Sequence, residues 1–256
     1  MTTSPLLAPP VEHAWSAQER SVLVRAALNA NPCGVGNPWT LEIQGHRAEL
    51  YERFGATSWH HDGTGRDRVI ACGTALASVV VAVRVLGWVP EITLLGDPSH
   101  PDLVATVTAR ARHRPSSADV RRFQAIFDRT RHRDTHDPGD FPEEMLADIM
   151  AAGTRPGVRL LALSAFTPAN RKQTLDPGLL VVTTSDGRRD QVLAGAAMQE
   201  ASLAARAYGL TSSPQISPFQ FREFRQRIVR SRRVRGSPQL LLRLGRRQPV
   251  EGTEPW

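Results

Sequence analysis

One uncharged helical stretch constrains the fold of this 256-residue chain more than any other feature. The stretch runs from Gly65 to Gly87. Between Val69 and Val83 it holds no charged residue, and small or apolar residues occupy every side of a helical wheel. An amphipathic surface helix would show one polar face, so this pattern predicts a helix that is buried all round.

A second copy of this stretch runs from Gly187 to Gly209, at a constant offset of 122 positions. Without gaps, seven of 23 positions are identical: Gly65/Gly187, Arg66/Arg188, Gly73/Gly195, Ala75/Ala197, Ala82/Ala204, Arg84/Arg206 and Gly87/Gly209. Two buried helices of similar composition would also share several Gly and Ala matches. The Gly-Arg entrance and the terminal Gly recur in register, however, which favours an internal duplication.

Length and composition indicate a globular protein of one or two domains with a large core. The net charge is +7, but 31 of the 32 basic residues are Arg, a bias typical of GC-rich coding. Two cysteines, Cys33 and Cys72, are too few for a disulfide scaffold, so we expect a reduced, cytoplasmic protein. No secretory signal pattern begins the chain, and an uncharged run of 15 residues is too short to span a bilayer. We therefore expect no membrane partner.

The order of helical and strand patterns predicts an α+β protein in two halves. We expect an extended arm over 1–13, a first half over 14–112, a Pro/Ser linker over 113–118 and a second half over 119–256. A capping box at Ser16–Glu19 predicts the start of the first helix. A basic helix is predicted from Pro218 to Ser231.

Two further patterns are typical of binding sites. The segment 222–235 holds seven arginines, but no recognition motif or aromatic platform accompanies them, so a solvated helix is favoured and no nucleic acid partner is expected. His60-His61-Asp62 has no further ligand at a helpful spacing, so we predict no metal site.

Several motifs, in this order along the chain, resemble the nitroreductase-like flavoproteins, in particular the Acg-like branch with two fused nitroreductase-like halves. The motifs are the Pro32–Trp39 loop, the Gly-Arg…Cys-Gly-Thr-Ala-Leu helix over 65–76 with Leu-Gly-Trp at 86–88, the Arg-rich stretch Arg129–Arg133 ahead of Pro-Glu-Glu-Met-Leu at 142–146, the segments 194–198 and 207–214, and the ending Ser-Pro-Gln-Leu-Leu-Leu-Arg-Leu-Gly-Arg-Arg at 237–247.

The resemblance implies a nitroreductase-like fold, with a mixed central sheet flanked by helices, and FMN bound without covalent attachment. In two-subunit members the subunits pair through long central helices, and the flavins lie at the interface. A fused duplicate would form that interface within one chain, as a monomer mimicking a dimer, or as a homodimer. The implied activity is electron transfer from NAD(P)H or an organic substrate to a small acceptor, with a small-molecule substrate as partner.

The resemblance also implies flavin contacts. The family's Arg-x-Thr/Ser-x-Arg segment can be aligned with this chain in two registers, so Arg129, Arg131 and Arg133 are all candidate contacts of the FMN phosphate. The family's C-terminal arginine pair corresponds to Arg246 and Arg247. Guanidinium groups suit a phosphate because their planar fork pairs with it in a bidentate manner. Asn37 is the candidate for the ring edge. The alternative for Arg129, Arg131 and Arg133 is a solvated charged loop. For Arg246 and Arg247 it is a basic tail, and for Asn37 it is a turn residue before Pro38. No catalytic residue is identified.

Two departures from the family leave a second interpretation open. The Pro32–Trp39 loop is one residue shorter and carries a single Asn37 in place of an Asn-x-Gln pair. In the family's fused members, a long segment follows the strand after the Pro-Glu-Glu-Met-Leu helix. In this chain only Ser164–Pro177 occupies that place. The alternative is therefore a flavin-storing or flavin-free nitroreductase-fold protein that acts as a binding or partner protein without turnover.

Overall fold

The computed structural model describes residues 13–30, 37–55, 62–128, 141–163 and 178–246. The first half contains α1 (Ala17–Leu28), β1 (Trp39–Gln44), β2 (Arg47–Glu52), α2 (Arg66–Val85), β3 (Trp88–Leu94) and β4 (Leu103–Arg112). The capping box is confirmed, since Ser16 and Glu19 bond reciprocally at the start of α1. Burial alone would raise the pKa of Glu19, but hydrogen bonds from Ser16, His13 and Trp88 lower it to about 2.

The second half contains α3 (Ser117–Phe127), α4 (Glu143–Gly153), β5 (Val158–Leu163), β6 (Gly178–Thr183), α5 (Arg188–Ala207), β7 (Leu210–Gln215), α6 (Arg222–Arg232) and β8 (Ser237–Arg246). The last two residues of the predicted linker belong to α3, which has its own capping box at Ser116 and Asp119. The predicted basic helix is a 3₁₀ turn, Ser217–Gln220, followed by α6. Strand β7 was not predicted.

The strands form two four-stranded sheets, in the orders β1-β2-β4-β3 and β5-β6-β8-β7. The α+β prediction is confirmed. The expectation of one mixed sheet is wrong for the described residues, because every pairing between these strands is antiparallel. The sheets are also separate, because α2 and α5 lie between them: α2 packs on the first sheet, and α5 packs on the second. Each sheet is completed by strands of its own half.

The two stretches of chain that form the sheets have the same order of helices and strands. A helix, two strands, a central helix and two strands follow one another as α1-β1-β2-α2-β3-β4 and again as α4-β5-β6-α5-β7-β8, apart from α6. The strand order is also the same, with the second and fourth strands of each set in the centre of the sheet.

The two central helices meet at a pair of glycines. A Cβ atom on Gly73 would overlap the carbonyl oxygen of Val192, and a Cβ atom on Gly195 would overlap the carbonyl oxygen of Ile70. Gly73 and Gly195 are 122 positions apart, as are Ile70 and Val192. Replacing each residue by its match 122 positions away therefore turns one contact into the other, as happens across an isologous interface.

Helix α2 is buried from Val69 to Val83 without exception, as predicted. It is long and apolar enough to cross a membrane by length and composition alone, but 83% of that stretch is buried inside the protein. Burial also raises the pKa of the Cys72 thiol. These observations describe α2 as a core helix with an unreactive cysteine.

Helix α6 covers the outer face of the second sheet. Its apolar side chains Phe224 and Ile228 pack with Leu180 and Leu241 of the sheet. In the first half, the chain passes from β3 to β4 through 95–102 without a helix. The second half thus carries an arginine-rich layer that has no counterpart in the first.

Candidate functional site

A cleft of about 580 Å³ opens between the two central helices and the edge strand β3. Its walls are formed by Leu76, Ala77, Val80 and Arg84 of α2, by Arg189, Leu193, Ala196 and Glu200 of α5, by Ile92–Leu94 of β3, and by Thr154 and Arg155 after α4. The cleft therefore lies between elements of both halves.

Helical spacing explains why these side chains share one wall. Leu76, Val80 and Arg84 are four residues apart on α2, so they lie on one face of the helix, and the α5 residues are spaced three and four apart. The middle of each face is apolar, while the arginines lie toward the helix ends. Strand β3 is at the edge of its sheet, so its outer backbone groups have no ladder partner among the described strands.

The charges of the cleft are three guanidinium groups and one carboxylate. Arg155 reaches the cleft from the turn after α4, and its Nη2 lies 2.9 Å from the Oε2 of Glu200. This ion pair holds Arg155 against α5. Arg84 and Arg189 remain as cations at the rim of an apolar floor. An apolar floor with cations at its rim suits a planar ring system that carries an anionic group.

The repeat offset relates this cleft to a second position, which is formed differently. There, Met198, Gln199, Ser202 and Arg206 replace Leu76, Ala77, Val80 and Arg84. Gln199 donates to the Oγ of Ser78 over 3.0 Å, and the hydroxyls of Ser202 and Ser212 share a hydrogen bond. Met198, Gln199 and Ser202 are fully buried. Among the described residues, this counterpart position is packed with polar side chains, whereas the cleft is an open space walled by apolar side chains and charged groups.

Arg206 is the last of the four α5 residues at the counterpart position. Its Nη1 donates to the carbonyl oxygen of Ala125 in α3 over 3.5 Å, and its buried Nε has no hydrogen-bond partner in the described part of the chain. Burial lowers the pKa of Arg206. Arg84, the matching residue of the first copy, lines the open cleft instead.

The structure describes two of the six predicted flavin contacts. Asn37 is exposed just before β1, and Arg246 is exposed at the end of β8, in register with Leu210. Neither lines the cleft. Arg129, Arg131, Arg133 and Arg247 lie outside the described residues, so the predicted phosphate site stays a prediction.

Sequence reasoning did not identify Arg84, Arg155 and Arg189 as site residues. The repeat contained a signal for Arg84, because Arg84 and Arg206 are identical in the two copies. Arg155 offered no such signal, since a tertiary contact with Glu200 brings it to the cleft.

The arginines that open the two central helices hold the halves together. Arg66 of α2 crosses to β8, where its Nη2 donates to the Oε1 of Gln239 over 2.7 Å. Arg188 of α5 crosses to β2, where its Nη2 lies 2.9 Å from the Oε2 of Glu52. Burial lowers the pKa of Arg66 and raises that of the neighbouring Asp67 carboxyl. We assign both arginines a structural role.

Asp62, part of the His-His-Asp pattern, caps α2. Its carboxylate accepts hydrogen bonds from the backbone amides of Asp67 and Arg68. His60 and His61 lie outside the described residues. Within the ranges that the structure describes, no group of three metal-ligating side chains is present.

No family model matches the chain. Over 154 residues it is 28% identical to proteins named "Putative NAD(P)H nitroreductase" in two strains of Mycobacterium tuberculosis. The matched segment makes up 60% of this chain and 44% of each relative. The chain is thus a distant relative of these proteins, and it spans less than half the length of the curated relatives it matches.

Proposed function

We propose that this protein is a nitroreductase-like oxidoreductase that binds FMN between its two halves and passes electrons from NAD(P)H or an organic substrate to a small acceptor. The observation that carries the proposal is the cleft between α2 and α5, which combines an apolar floor with three guanidinium groups. The names of the two relatives support the reaction class.

We also propose that the halves are an internal duplication, so that one chain forms the pair of central helices that two subunits form in other nitroreductases. Three observations support this: the repeat offset, the matching element and strand orders, and the reciprocal contact of Gly73 and Gly195. On this proposal the protein works in the cytoplasm as a monomer that mimics a dimer, and a homodimer is the alternative.

The residues of the cleft fit a flavin. Leu76, Val80 and Leu193 would seat the ring and exclude water from it, while Arg84 and Arg189 would pair with its anionic groups. When bound, FMN supplies hydride and single-electron chemistry that side chains lack. The chain would contribute position and electrostatics, and no described residue is placed as a general acid or base.

The predicted contacts define a second candidate position for the flavin. The turn after α4 lines the cleft, and the loop after α1, which holds Asn37, is its equivalent in the first half. Under the duplication, a flavin held by Asn37 would therefore lie at the counterpart position. That position is packed with polar side chains, so the cleft is the position that we favour.

Visible absorption of the purified protein tests the proposal. We expect the bands of an oxidised flavin, either as isolated or after addition of FMN and removal of the excess. Anaerobic addition of NADPH or NADH should then bleach these bands, and a small acceptor should restore them. A protein without bands after FMN addition would be flavin-free, which would overturn the proposed function. A flavin that neither NADPH nor NADH bleaches would overturn the NAD(P)H-dependent activity.

A further inference from the structure

A groove of about 540 Å³ lies where α3, α4 and α5 meet. Each of the three helices lines it with three residues in the spacing i, i+3 and i+4, as Ala118, Arg121 and Arg122 do in α3. Residues at this spacing share one face of a helix, so three helix faces converge on one space. The volume is typical of small-molecule sites, and no described residue lines both this groove and the cleft.

Helix α3 fills the space on its other side and leaves this side open. Phe123 and Phe127 pack on the core cluster of the first half, and their rings meet edge to face with centroids 5.2 Å apart. The capping box at Ser116 fixes where the helix begins. Toward α4 and α5 the same helix presents the methyl group of Ala118. The groove is therefore open because α3 carries two aromatic rings on one side and a small side chain on the other.

The apolar groups of the groove are small, and a ligand can reach them. Five of the described lining residues are alanines. Of these, Ala151 and Ala207 are exposed, and the neighbouring Tyr208 is 46% exposed. Methyl groups let a planar ring approach the helices closely, and the face of a tyrosine ring stacks with another ring. The groove is therefore suited to a flat aromatic group.

The charged groups of the groove leave a single positive charge. The hydroxyl of Tyr208 donates a hydrogen bond to the carboxylate of Asp148, which holds the ring at the groove. This bond raises the pKa of Tyr208, so the hydroxyl stays neutral at physiological pH. Arg121 is exposed and Arg122 is half-buried, and neither has a carboxylate partner within the described ranges. Two guanidinium groups and one carboxylate give the described lining a net charge of +1.

We propose that this groove binds a small aromatic carboxylic acid, with its ring between the alanine methyl groups and Tyr208 and its carboxylate on Arg121 and Arg122. Guanidinium groups pair with a carboxylate in a bidentate manner. The single charge of a carboxylate matches the net charge of the lining, whereas a phosphate monoester would bring close to two negative charges beside Asp148. The groove shares no described lining residue with the cleft, so the inference does not rest on the proposed function.

Titration calorimetry of the full chain with 2-naphthoate and its neutral analogue 2-naphthamide tests the groove. We expect the acid to bind at least about tenfold more tightly than the amide, since hydrogen bonds to charged groups contribute this much or more. Arg121→Gln and Arg122→Gln should each weaken binding of the acid and leave that of the amide unchanged. Ala207→Leu adds a side chain at an exposed position of the groove and should weaken binding of both compounds.

Two control variants should bind 2-naphthoate as the wild type does. Arg110→Gln removes an exposed arginine of the first sheet that is paired with exposed Glu91, and it controls for overall charge. Arg84→Gln removes a cation of the cleft and controls for binding at that site. Thermal melts of each variant separate a binding defect from unfolding.

Three results would overturn the proposal. The first is that 2-naphthoate does not bind or binds no better than the amide. The second is an equal loss of affinity in Arg110→Gln, which would indicate an effect of overall charge. The third is a loss in Arg84→Gln with unchanged binding in Arg122→Gln, which would place the acid in the cleft. Weaker binding of the acid in the two groove variants alone, together with the effect of Ala207→Leu, would support the groove.

Discussion

The open cleft and its counterpart position occupy equivalent places in a repeated arrangement, yet they differ in nearly every side chain. On the cleft side, Leu76 and Val80 face a space of about 580 Å³. On the other side, Gln199 and Ser202 are buried and bonded to Ser78 and Ser212. Only the terminal arginines, Arg84 and Arg206, are the same.

This difference shows that scaffold and site depend on different residues. The glycines and alanines of the central helices allow close packing and recur at the same offset. The residues that face the two positions do not recur, so a cleft opens at one position, while the described residues at the other make polar contacts with one another. The predictions that follow test this comparison, beginning with the contact common to both positions.

The glycine contact between the helices should be the most sensitive position. In Gly73→Val and Gly195→Val, the added side chain would overlap the carbonyl oxygen of Val192 or Ile70, so we expect each to lower the free energy of unfolding by about 4 kcal/mol or to prevent folding. Urea denaturation followed by circular dichroism measures this. Gly55→Ala, where no atom lies within 4 Å of the added Cβ, is the control and should change stability by less than about 0.5 kcal/mol. Unequal effects at the two glycines would contradict a symmetric contact.

The two crossing arginines should differ because their burial differs. The side chain of Arg66 is 4% exposed and that of Arg188 is 31% exposed. We expect Arg66→Met to cost about 3 kcal/mol, because it removes the cation beside the buried Asp67 carboxylate and the donor to the buried Oε1 of Gln239. Arg188→Met should cost about 1 kcal/mol or less, because Arg188 is partly exposed and the buried Glu52 carboxylate keeps its ion pair with Arg68. The same denaturation experiment checks both, and similar costs would show that the two halves are held equally.

The arginines at the ends of the two positions separate the candidate flavin sites. If the cleft holds FMN, Arg84→Gln should weaken FMN binding about tenfold, or about 1.4 kcal/mol, and Arg206→Gln should leave the affinity unchanged. Quenching of FMN fluorescence on titration measures the affinity, and a thermal melt controls for folding. The opposite pattern would place the flavin in the counterpart position.

The smallest expected effect concerns Asp67, the second residue of α2. The matching residue of α5 is Arg189. Burial raises the pKa of Asp67 above its ordinary value of 3.8, so the native state holds the proton more tightly than the unfolded state. Its contribution to stability is present below pH 3.8 and is lost as the pH rises through the native pKa. We expect the stability of Asp67→Asn, relative to the wild type, to increase over this window.

Denaturation at a series of pH values measures this trend, and Asp97→Asn provides a control of opposite sign. Hydrogen bonds from Ser99 and His100 lower the pKa of Asp97 to about 2, so its contribution is present above pH 3.8 and is lost as the pH falls toward 2. A flat difference between Asp67→Asn and the wild type would show that Asp67 does not take up a proton in the native state.

Local patterns were sufficient for most of the helices. The capping box at Ser16 and the uncharged run at 69–83 predicted α1 and α2 because both signals lie within one segment of chain. Strand β7 was missed because its sequence, Leu-Thr-Ser-Ser-Pro-Gln, is polar and contains a proline. An edge strand tolerates proline, and β7 lies at the edge of the second sheet. The repeat offset, which matches β7 to β3, could have indicated it.

By itself, the sequence determined the two buried helices and the α+β class, because charge pattern and periodicity act over a few turns of chain, and it showed seven identities between the helices at an offset of 122 positions. Only the tertiary structure decided which face of the helix pair is open. The cleft depends on Leu76, Leu193 and Arg155 meeting from three elements far apart in the chain, and on the ion pair between Arg155 and Glu200. Two antiparallel sheets in place of one mixed sheet also arose at this level, because the paired helices occupy the space between them.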